Sequence, residues 1–337
     1  MSGIEEINLD QTFHAGHEEA MAKIYERFPS GASLTAWAQE HQEIGTLAHQ
    51  KFHYLYDRPT EWSGNVVVAG GEFANGIHPG MLIRALIVRE VADPHAALLI
   101  QPNSTVQTTV HNFSRDERHR LANGNPAPLV DRLRSAMQQQ EESDDPERNT
   151  LLYGPSQGAV AMAAYAAHPD TERVALAVIE APNTQDRNNL ELLKDFGGSG
   201  KSLKDNIQVN FVGHKYLLLY EDLLRGVDLR HLLLYVAGGA RPENVALRGV
   251  LRQCTLTGYI EQTLGKGSSV VQAWGIKDRV SGDDVNTAIA EFFINHSAYQ
   301  GVRVVGEHAD HSITNRYGLN AHIAKMSIDR LLDSSKL

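Results

Sequence analysis

The chain has 337 residues, and its 31 Lys and Arg against 41 Asp and Glu give a formal net charge of −10. With 21% charged and 42% hydrophobic residues, the composition is typical of a globular protein and excludes a disordered or fibrous one. The acidic balance argues against nonspecific nucleic-acid binding, and no apolar run approaches the roughly 20 residues of a membrane helix.

The first 60 residues are predicted to form a mainly helical N-terminal extension, 1–60. Residues 16–28 place apolar side chains on one stripe at helical spacing, and a second helix is predicted to start at 33–37, after a Pro-Ser-Gly break. Residues 50–57 alternate as a strand does and end before a proline.

From residue 65 onward, short apolar runs alternate with helical stretches. Up to residue 182 the runs are 66–69, 98–100, 150–153 and 174–179, and the helices are 80–91, 127–141 and 157–167. After a largely helical segment, the runs 269–274 and 302–305 alternate with helices 284–297 and 319–333. Buried parallel strands need apolar residues on both faces. The pattern therefore predicts an α/β fold, a mostly parallel sheet flanked by helices, with a core of 61–182 and 268–337 and a helical insertion at 183–267.

The strongest chemical signal is Gly154-Pro155-Ser156-Gln157-Gly158, which follows an apolar run and opens a helical stretch. A G-x-S-x-G match is weak alone, but a strand before it and a helix after it make it far more specific. The turn must be so sharp that the serine adopts a strained backbone, and the flanking glycines remove Cβ atoms that would clash. The hydroxyl would then stand at the carboxyl edge of the sheet, beside a helix N-terminus that favours developing negative charge.

This motif resembles the nucleophile elbow of the α/β-hydrolase superfamily, in which the chain order is Ser, then acid, then His. The resemblance covers about residues 64–333, roughly four fifths of the chain. It implies an α/β-hydrolase fold in which the insertion at 183–267 is a helical cap or lid. The first 60 residues do not match the opening hairpin that is usual in the family.

The resemblance assigns the triad acid to Asp278. The sequence Gly275-Ile276-Lys277-Asp278 follows an apolar run and is similar to the G-x-x-D turn that carries the acid after the family's penultimate strand. Asp278 would orient the histidine and stabilise its imidazolium. Glu180 is the alternative, because some superfamily members carry the acid after the preceding strand.

The general base is assigned to His311 in the same way. The family places this histidine in a loop of small residues after the final strand, and the run 302–305 is followed here by Gly306-Glu307-His308-Ala309-Asp310-His311-Ser312. His311 fits best because a serine and a helix follow it, and His308 is the alternative. Either ring would have to reach the Ser156 hydroxyl, take its proton and return that proton to the leaving group.

The resemblance also implies an oxyanion hole made of two backbone N–H groups. One belongs to Gln157, directly after the nucleophile, and each such donor is typically worth about 3–4 kcal/mol of transition-state stabilisation. The other is assigned to Gly71, with Glu72 as the alternative, in the turn after run 66–69. The family often has a histidine before the glycines of this turn, and alanine replaces it here.

The function implied by the resemblance is that of a serine hydrolase with Ser156 as nucleophile. It would cleave a carboxylic ester, or a related thioester or amide, of a small-molecule acyl substrate through an acyl-enzyme intermediate, with no cofactor. Two alternatives stay open: a carbon–carbon bond hydrolase with the same triad, and a noncatalytic ligand-binding member of the same fold. Homo-oligomerisation stays open as well.

Two other patterns could carry cofactor chemistry, and both fail in context. Residues 195–202 end like a phosphate-binding loop, but Asp195 stands where the first glycine should be and no buried strand precedes it. Histidine pairs at metal-ligand spacing, such as His14 and His17, are expected by chance among 16 histidines. We therefore predict no metal and no nucleotide cofactor.

The cellular compartment is predicted from the cysteine count and the N-terminus. One cysteine, Cys254, excludes an internal disulfide and fits a reducing compartment. The acidic, polar N-terminus lacks the basic and apolar regions of a secretory signal. These features predict a cytoplasmic protein with neither a membrane nor a nucleic acid as partner.

Overall fold

One mixed, mostly parallel sheet runs through the protein. The computed structural model describes residues 3–9, 14–47, 50–70, 79–101, 113–140, 149–181, 246, 249–250, 256–311 and 313–334. The strands within them are β1 (Ile4–Asn8), β2 (Gln42–Leu47), β3 (Gln50–Asp57), β4 (Gly64–Ala69), β5 (Ala97–Gln101), β6 (Asn149–Pro155), β7 (Ala175–Ile179), β8 (Ser269–Gly275) and β9 (Tyr299–Val305). They pair in the order β1-β9-β8-β7-β6-β4-β5-β3-β2.

The central strands are buried on both faces, which explains their continuous apolar runs. Every residue of β4, β7 and β8 is buried. Because successive side chains of a strand point to opposite faces, Leu151 and Tyr153 of β6 join one core cluster and Leu152 joins the other. Parallel strands lead in the same direction, so the residues that follow β4, β6, β7, β8 and β9 meet at one edge of the sheet.

Helices cover both faces of this sheet. Those of the described residues are α1 (His14–Arg27), α2 (Gly31–Glu40), α3 (Pro79–Ala92), α4 (Arg115–Ala122), α5 (Ala127–Gln140), α6 (Gln157–Ala167), α7 (Leu256–Gly265), α8 (Asp283–Phe293) and α9 (Tyr317–Ser334). Side chains of α1, α2, α3 and α9 fill the core on one face, and those of α5 to α8 fill the core on the other. No helix in this part of the chain has the length and apolar character needed to cross a membrane.

The first 60 residues form part of the sheet, which corrects the predicted helical extension 1–60. Helices α1 and α2 lie close to the predicted positions, but β1 pairs in parallel with β9 at one edge, and β2 and β3 form an antiparallel hairpin at the other. An antiparallel hairpin is therefore present, contrary to the expectation from the sequence. Edge strands pair on one side only, and exposed residues such as Glu5, Glu6 and Glu43 obscure the strand pattern of β1 and β2.

The predicted cap at 183–267 lies mostly outside the described residues, and it stays a prediction over 183–255. The end of that segment is helix α7, which packs against α6 and β8. Ile260 and Leu264 of α7 are buried in the core of that sheet face. The last turns of the predicted insertion therefore belong to the helical layer of the α/β core.

Candidate active site

Ser156 lies at the sharp turn between β6 and α6. Its φ of 50° and ψ of −126° are rare for an L-residue, and such a conformation costs about 1–3 kcal/mol. Its backbone N–H donates to the carbonyl oxygen of Ile179 at 2.7 Å, which anchors the turn to β7. A serine that precedes a helix commonly caps the first turn with its hydroxyl, but Ser156 makes no such bond. Its hydroxyl is therefore available to another partner.

Gly154 and Gly158 are required by the close approach of backbone around this turn. A Cβ on Gly154 would lie 2.5 Å from the carbonyl oxygen of Gly158. A Cβ on Gly158 would lie 2.7 Å from the carbonyl oxygen of Gly70. The G-x-S-x-G pattern is thus a steric requirement of the turn. The second contact also places the end of β4 beside the N-terminus of α6.

The ends of β6, β8 and β9 bring together the three residues that the sequence singled out. The Ser156 Oγ lies 2.9 Å from His311 Nε2, and His311 Nδ1 lies 2.8 Å from Asp278 Oδ2. When the neutral ring carries its proton on Nδ1, it donates to the Asp278 carboxylate and accepts from the Ser156 hydroxyl. The Asp278 side chain is fully buried and that of His311 is 5% exposed. Both are therefore shielded from the high dielectric of water, which strengthens their interaction.

The Asp278 carboxylate is held in its charged form by several donors. Its Oδ1 accepts from the backbone N–H groups of Val280 at 2.8 Å and Ser281 at 3.0 Å, and its Oδ2 accepts from the Ser281 hydroxyl. Burial by itself would raise the pKa of Asp278. The positive charge of His311, the hydrogen bond from the His311 ring and the hydrogen bonds from Ser281 outweigh burial and lower this pKa below its usual value. Asp278 is therefore ionised at neutral pH.

Backbone hydrogen bonds tie the Asp278 turn to the His311 loop. The N–H of Lys277 donates to the carbonyl oxygen of Ala309 at 2.8 Å, and that of Ile276 donates to the carbonyl oxygen of Val304 at 3.0 Å. These bonds hold the two segments side by side, with the carboxylate next to the imidazole.

The alternatives Glu180 and His308 do not take the predicted acid and base positions. His311 lies between the hydroxyl and the Asp278 carboxylate, while His308 lies earlier in the same loop. Glu180 is fully buried after β7, and its Oε1 accepts from the backbone N–H of Ile313 at 3.0 Å. Glu180, Asp278 and His311 each place one potential metal-ligand atom within 4.8 Å of the others. Both ring nitrogens of His311 already have hydrogen-bond partners, Ser156 and Asp278, and this arrangement suits proton transfer.

The residues assigned to the oxyanion hole are only partly described. Gln157 is the first residue of α6, and the first N–H groups of a helix have no acceptor within the helix. Gln157 is buried, and neither Oε1 nor Nε2 of its side chain has a hydrogen-bond partner in the described part of the chain. Gly71 and the alternative Glu72 lie outside the described residues. Gly70, directly before them, is adjacent to Gly158 at the start of α6.

Two residues of this site were missed in the sequence. Ser281 donates to Asp278 through both its backbone and its hydroxyl. An aspartate that bonds N–H groups two and three residues ahead forms an Asx-type turn, so the spacing of Asp278 and Ser281 was an available signal. The amide of Ile313 is bonded to Glu180, 133 residues away along the chain. No local pattern could indicate that contact.

Comparisons with known proteins rest on structure alone, because no protein-family model and no curated sequence matches the chain. A membrane phospholipase A, a bacterial virulence factor, has a TM-score of 0.54 at 14% identity, over 94% of this chain and 96% of its own. A putative lipase from Acinetobacter baumannii AYE has a TM-score of 0.53 at 13% identity, over 98% and 99%. A meta-cleavage product hydrolase from Pseudomonas fluorescens IP01 has a TM-score of 0.52 at 12% identity, over 88% and 99%.

The matched proteins have different activities and share the architecture. At 12–14% identity, likeness in structure shows the fold and leaves the substrate open. In this chain, the described strands form a mostly parallel sheet with helices on both faces. The chain therefore has the α/β-hydrolase fold.

Proposed function

We propose that the protein is a serine hydrolase that cleaves a carboxylic ester, or a related thioester or amide, through an acyl-enzyme intermediate. The observation that carries the proposal is the hydrogen-bonded series Ser156–His311–Asp278, with contacts of 2.9 and 2.8 Å, at a strained turn between a strand and a helix. A hydroxyl, a neutral imidazole and a buried carboxylate in this arrangement have the chemistry of nucleophilic acyl transfer.

In the first step, the Ser156 oxygen attacks the carbonyl carbon of the substrate while His311 Nε2 takes the hydroxyl proton. The ring becomes a cation, and the ionised Asp278 carboxylate stabilises it across the 2.8 Å contact with Nδ1. Because the pKa of Asp278 is lowered, the carboxylate stays ionised and the proton remains on the imidazole. The attack opens the carbonyl double bond and gives a tetrahedral intermediate with a negative oxygen.

The backbone N–H of Gln157 and that of Gly71 are the proposed donors to this oxygen. The placement of Gln157 at the start of α6 supports its part, because the positive end of the helix dipole points at the same place. The contact between Gly70 and Gly158 supports placing the turn after β4 beside the nucleophile. The role of Gly71 itself is a proposal from the sequence.

The reaction is completed in two stages: the intermediate collapses to an acyl-enzyme, and water then hydrolyses the acyl-enzyme. His311 gives its proton to the leaving alkoxide, thiolate or amine, the bond to that group breaks, and the acyl group stays on Ser156. A water molecule next attacks the acyl carbon while His311 takes one of its protons. The carboxylic acid leaves, and the proton returns to the Ser156 oxygen.

The test is hydrolysis of p-nitrophenyl esters with graded acyl chains, followed through the first turnover. We expect a burst of p-nitrophenol equal to the enzyme concentration if deacylation is the slower step. Ser156→Ala and His311→Ala should remove both burst and turnover. Ser135→Ala, which changes a half-buried serine of α5 that donates to the carbonyl oxygen of Thr46, is the matched control and should match the wild type.

Absence of turnover in folded wild-type protein on esters, thioesters and amides would contradict the proposed reaction. Cleavage of a carbon–carbon bond next to a carbonyl would then indicate the alternative hydrolase. Tight binding of a small ligand that persists in Ser156→Ala, without turnover, would indicate a noncatalytic binding protein. Thioester and amide substrates in the same panel define which bond is preferred.

A further inference from the structure

A second carboxyl group, that of Glu180, is built into the site without a role in the reaction just described. Glu180 follows β7 directly, and its φ of 52° lies in the left-handed region that glycine adopts freely and glutamate rarely does. Its backbone N–H donates to the carbonyl oxygen of Ala273 at 2.8 Å, so neighbouring β8 holds this conformation in place. A side chain kept at such a position, where glycine would be unstrained, is a candidate for a function.

The Glu180 side chain turns inward beneath the loop that carries His311. Its Oε1 accepts from the backbone N–H of Ile313 at 3.0 Å, and this is the first residue of the 3-10 turn Ile313–Asn315. This bond fixes the backbone two residues after His311. Its Oε2 is fully buried and has no hydrogen-bond donor among the described residues.

Burial favours the neutral form of Glu180 and raises its pKa to about 8. The positive charge of His311 and the hydrogen bond from the Ile313 N–H oppose this rise in pKa, and the negative charges of Asp278 and Asp310 add to it. The charges of Glu180 at the end of β7 and Arg84 on α3 both act on the buried hydroxyl of Tyr153, which donates to Asn320 Oδ1. Two adjacent buried carboxyls cannot both ionise without a large electrostatic penalty, and Asp278 has the donors that favour its ionised form.

We propose that Glu180 is a positioning residue for His311. Its neutral carboxyl holds the backbone after His311 so that the imidazole stays between Ser156 and Asp278, and it does so without adding a second negative charge beside the ring. This inference rests on the proposed function, in which His311 carries the proton. This role differs from that of a triad acid, because a neutral carboxyl cannot stabilise the imidazolium by charge.

The first test needs no substrate and therefore stands apart from the proposed hydrolysis. In protein labelled with ¹⁵N-histidine, the Nδ1–H proton of His311 bonded to Asp278 should give a low-field NMR signal that His311→Ala removes. Glu180→Gln keeps an acceptor for the Ile313 amide and should keep the signal. Glu180→Gly suits the left-handed backbone, so it should fold while it removes the carboxyl.

In Glu180→Gly we expect the His311 signal to broaden or disappear, and the Ile313 amide to exchange with solvent at least about tenfold faster. Glu117→Gln is the matched control for Glu180→Gln, because it makes the same chemical change in a buried glutamate of α4 that pairs with Arg132. It should leave the His311 signal unchanged. A sharp His311 signal and a protected Ile313 amide in Glu180→Gly would overturn the proposal, whether or not the protein hydrolyses an ester.

The kinetic readout distinguishes positioning from charge. Glu180→Gly should lower kcat by about 10- to 100-fold through misplacement of the imidazole, and Glu180→Gln should restore most of that loss. The wild type should lose kcat/KM as Glu180 ionises near pH 8, and Glu180→Gln should lack this alkaline limb. A shift of the acidic limb by about one pH unit in Glu180→Gln would show that Glu180 is ionised beside His311 and would contradict its neutral role.

Discussion

Two neighbouring strands, β6 and β7, end at the same edge of the sheet in the same unusual conformation. Ser156 after β6 has a φ of 50°, and Glu180 after β7 has a φ of 52°; in the described part of the chain, these are the two non-glycine residues with positive φ. Their surroundings differ. Ser156 is half-buried and can meet a substrate, whereas Glu180 is fully buried beneath the His311 loop.

The difference shows that one kind of backbone strain can serve two purposes. At Ser156 it turns a hydroxyl outward, away from the usual role of capping a helix. At Glu180 it turns a carboxyl inward to bond the amide of Ile313. Both residues act near His311: Ser156 contacts its ring, and Glu180 bonds the backbone two residues after it. The two strained residues would together set the position of the proton acceptor. Substitutions at the two strand ends test whether their roles differ in this way.

The largest expected effect is on Ser156. Ser156→Ala should reduce kcat on the order of 10⁶-fold, since removal of a nucleophile removes the covalent path. Ser156→Gly should be equally inactive but more stable than Ser156→Ala by about 1 kcal/mol, because glycine relieves the strained turn. Ester hydrolysis and urea unfolding measure the two quantities. Equal stability of both variants would show that the turn stores no strain.

The next effect compares the two buried carboxyls. Asp278→Asn should reduce kcat about 10⁴-fold, because an amide neither fixes the required tautomer nor stabilises the imidazolium. Glu180→Gln should reduce it far less, because a neutral group replaces a neutral group. Steady-state kinetics of both variants at pH 7 make the comparison. If Glu180→Gln is the more damaging change, the roles of the two carboxyls are exchanged.

Glu180 should also contribute to the pH dependence of the free energy of unfolding. An unfolded glutamate ionises near pH 4.5, whereas Glu180 in the native state holds its proton up to about pH 8. Its contribution to the free energy of unfolding is therefore complete below pH 4.5 and is lost as pH rises through 8. Relative to the wild type, Glu180→Gln should gain about 3–5 kcal/mol between those limits.

Urea unfolding of both proteins at pH 5 and pH 8 measures this difference, with Glu117→Gln as the control. A constant difference between the two pH values would show that Glu180 titrates normally. For Asp278 the sign is opposite, because its pKa is lowered in the native state. Its contribution is present above its unfolded pKa and is lost as pH falls through the lower native value.

The smallest expected effect concerns the glycine that lets β4 approach the elbow. Gly158→Ala should lower the free energy of unfolding by about 1–3 kcal/mol, since its Cβ would meet the backbone of Gly70 at 2.7 Å. Gly265→Ala is the matched control, because nothing lies within 4 Å of a Cβ there and alanine favours a helix. Thermal or urea unfolding compares them. Equal free energies of unfolding for the two variants would mean that the backbone near Gly70 shifts to accept the new Cβ without loss of stability.

The central strands could be predicted from the sequence because a strand that is buried on both faces is a continuous run of apolar residues. Strands such as β4 and β7 are apolar on both faces, and each showed as a short apolar run. The edge strands β1 and β2 have no such apolar run. Ile4–Asn8 and Gln42–Leu47 expose part of their side chains, and their pairing depends on partners far along the chain.

The candidate site shows the same division between local and distant information. The positions of Ser156, Asp278 and His311 followed from motifs at strand ends, and the structure brings these residues into contact. The sequence offered Glu180 as an alternative acid, but its bond to Ile313 depends on two distant segments that meet only in the fold. Gly71 lies outside the described residues, so its role stays a prediction.

The measurement that tests the central claim most directly is fluorophosphonate labelling, with the adduct located by mass spectrometry. A phosphonate reacts with a serine only where a base removes the hydroxyl proton and the developing charge is stabilised. We predict one adduct per chain, on Ser156, that is absent from Ser156→Ala and His311→Ala and present in Ser135→Ala. Folded wild-type protein without an adduct, or an adduct on Ser156 that persists at full rate in His311→Ala, would contradict the account.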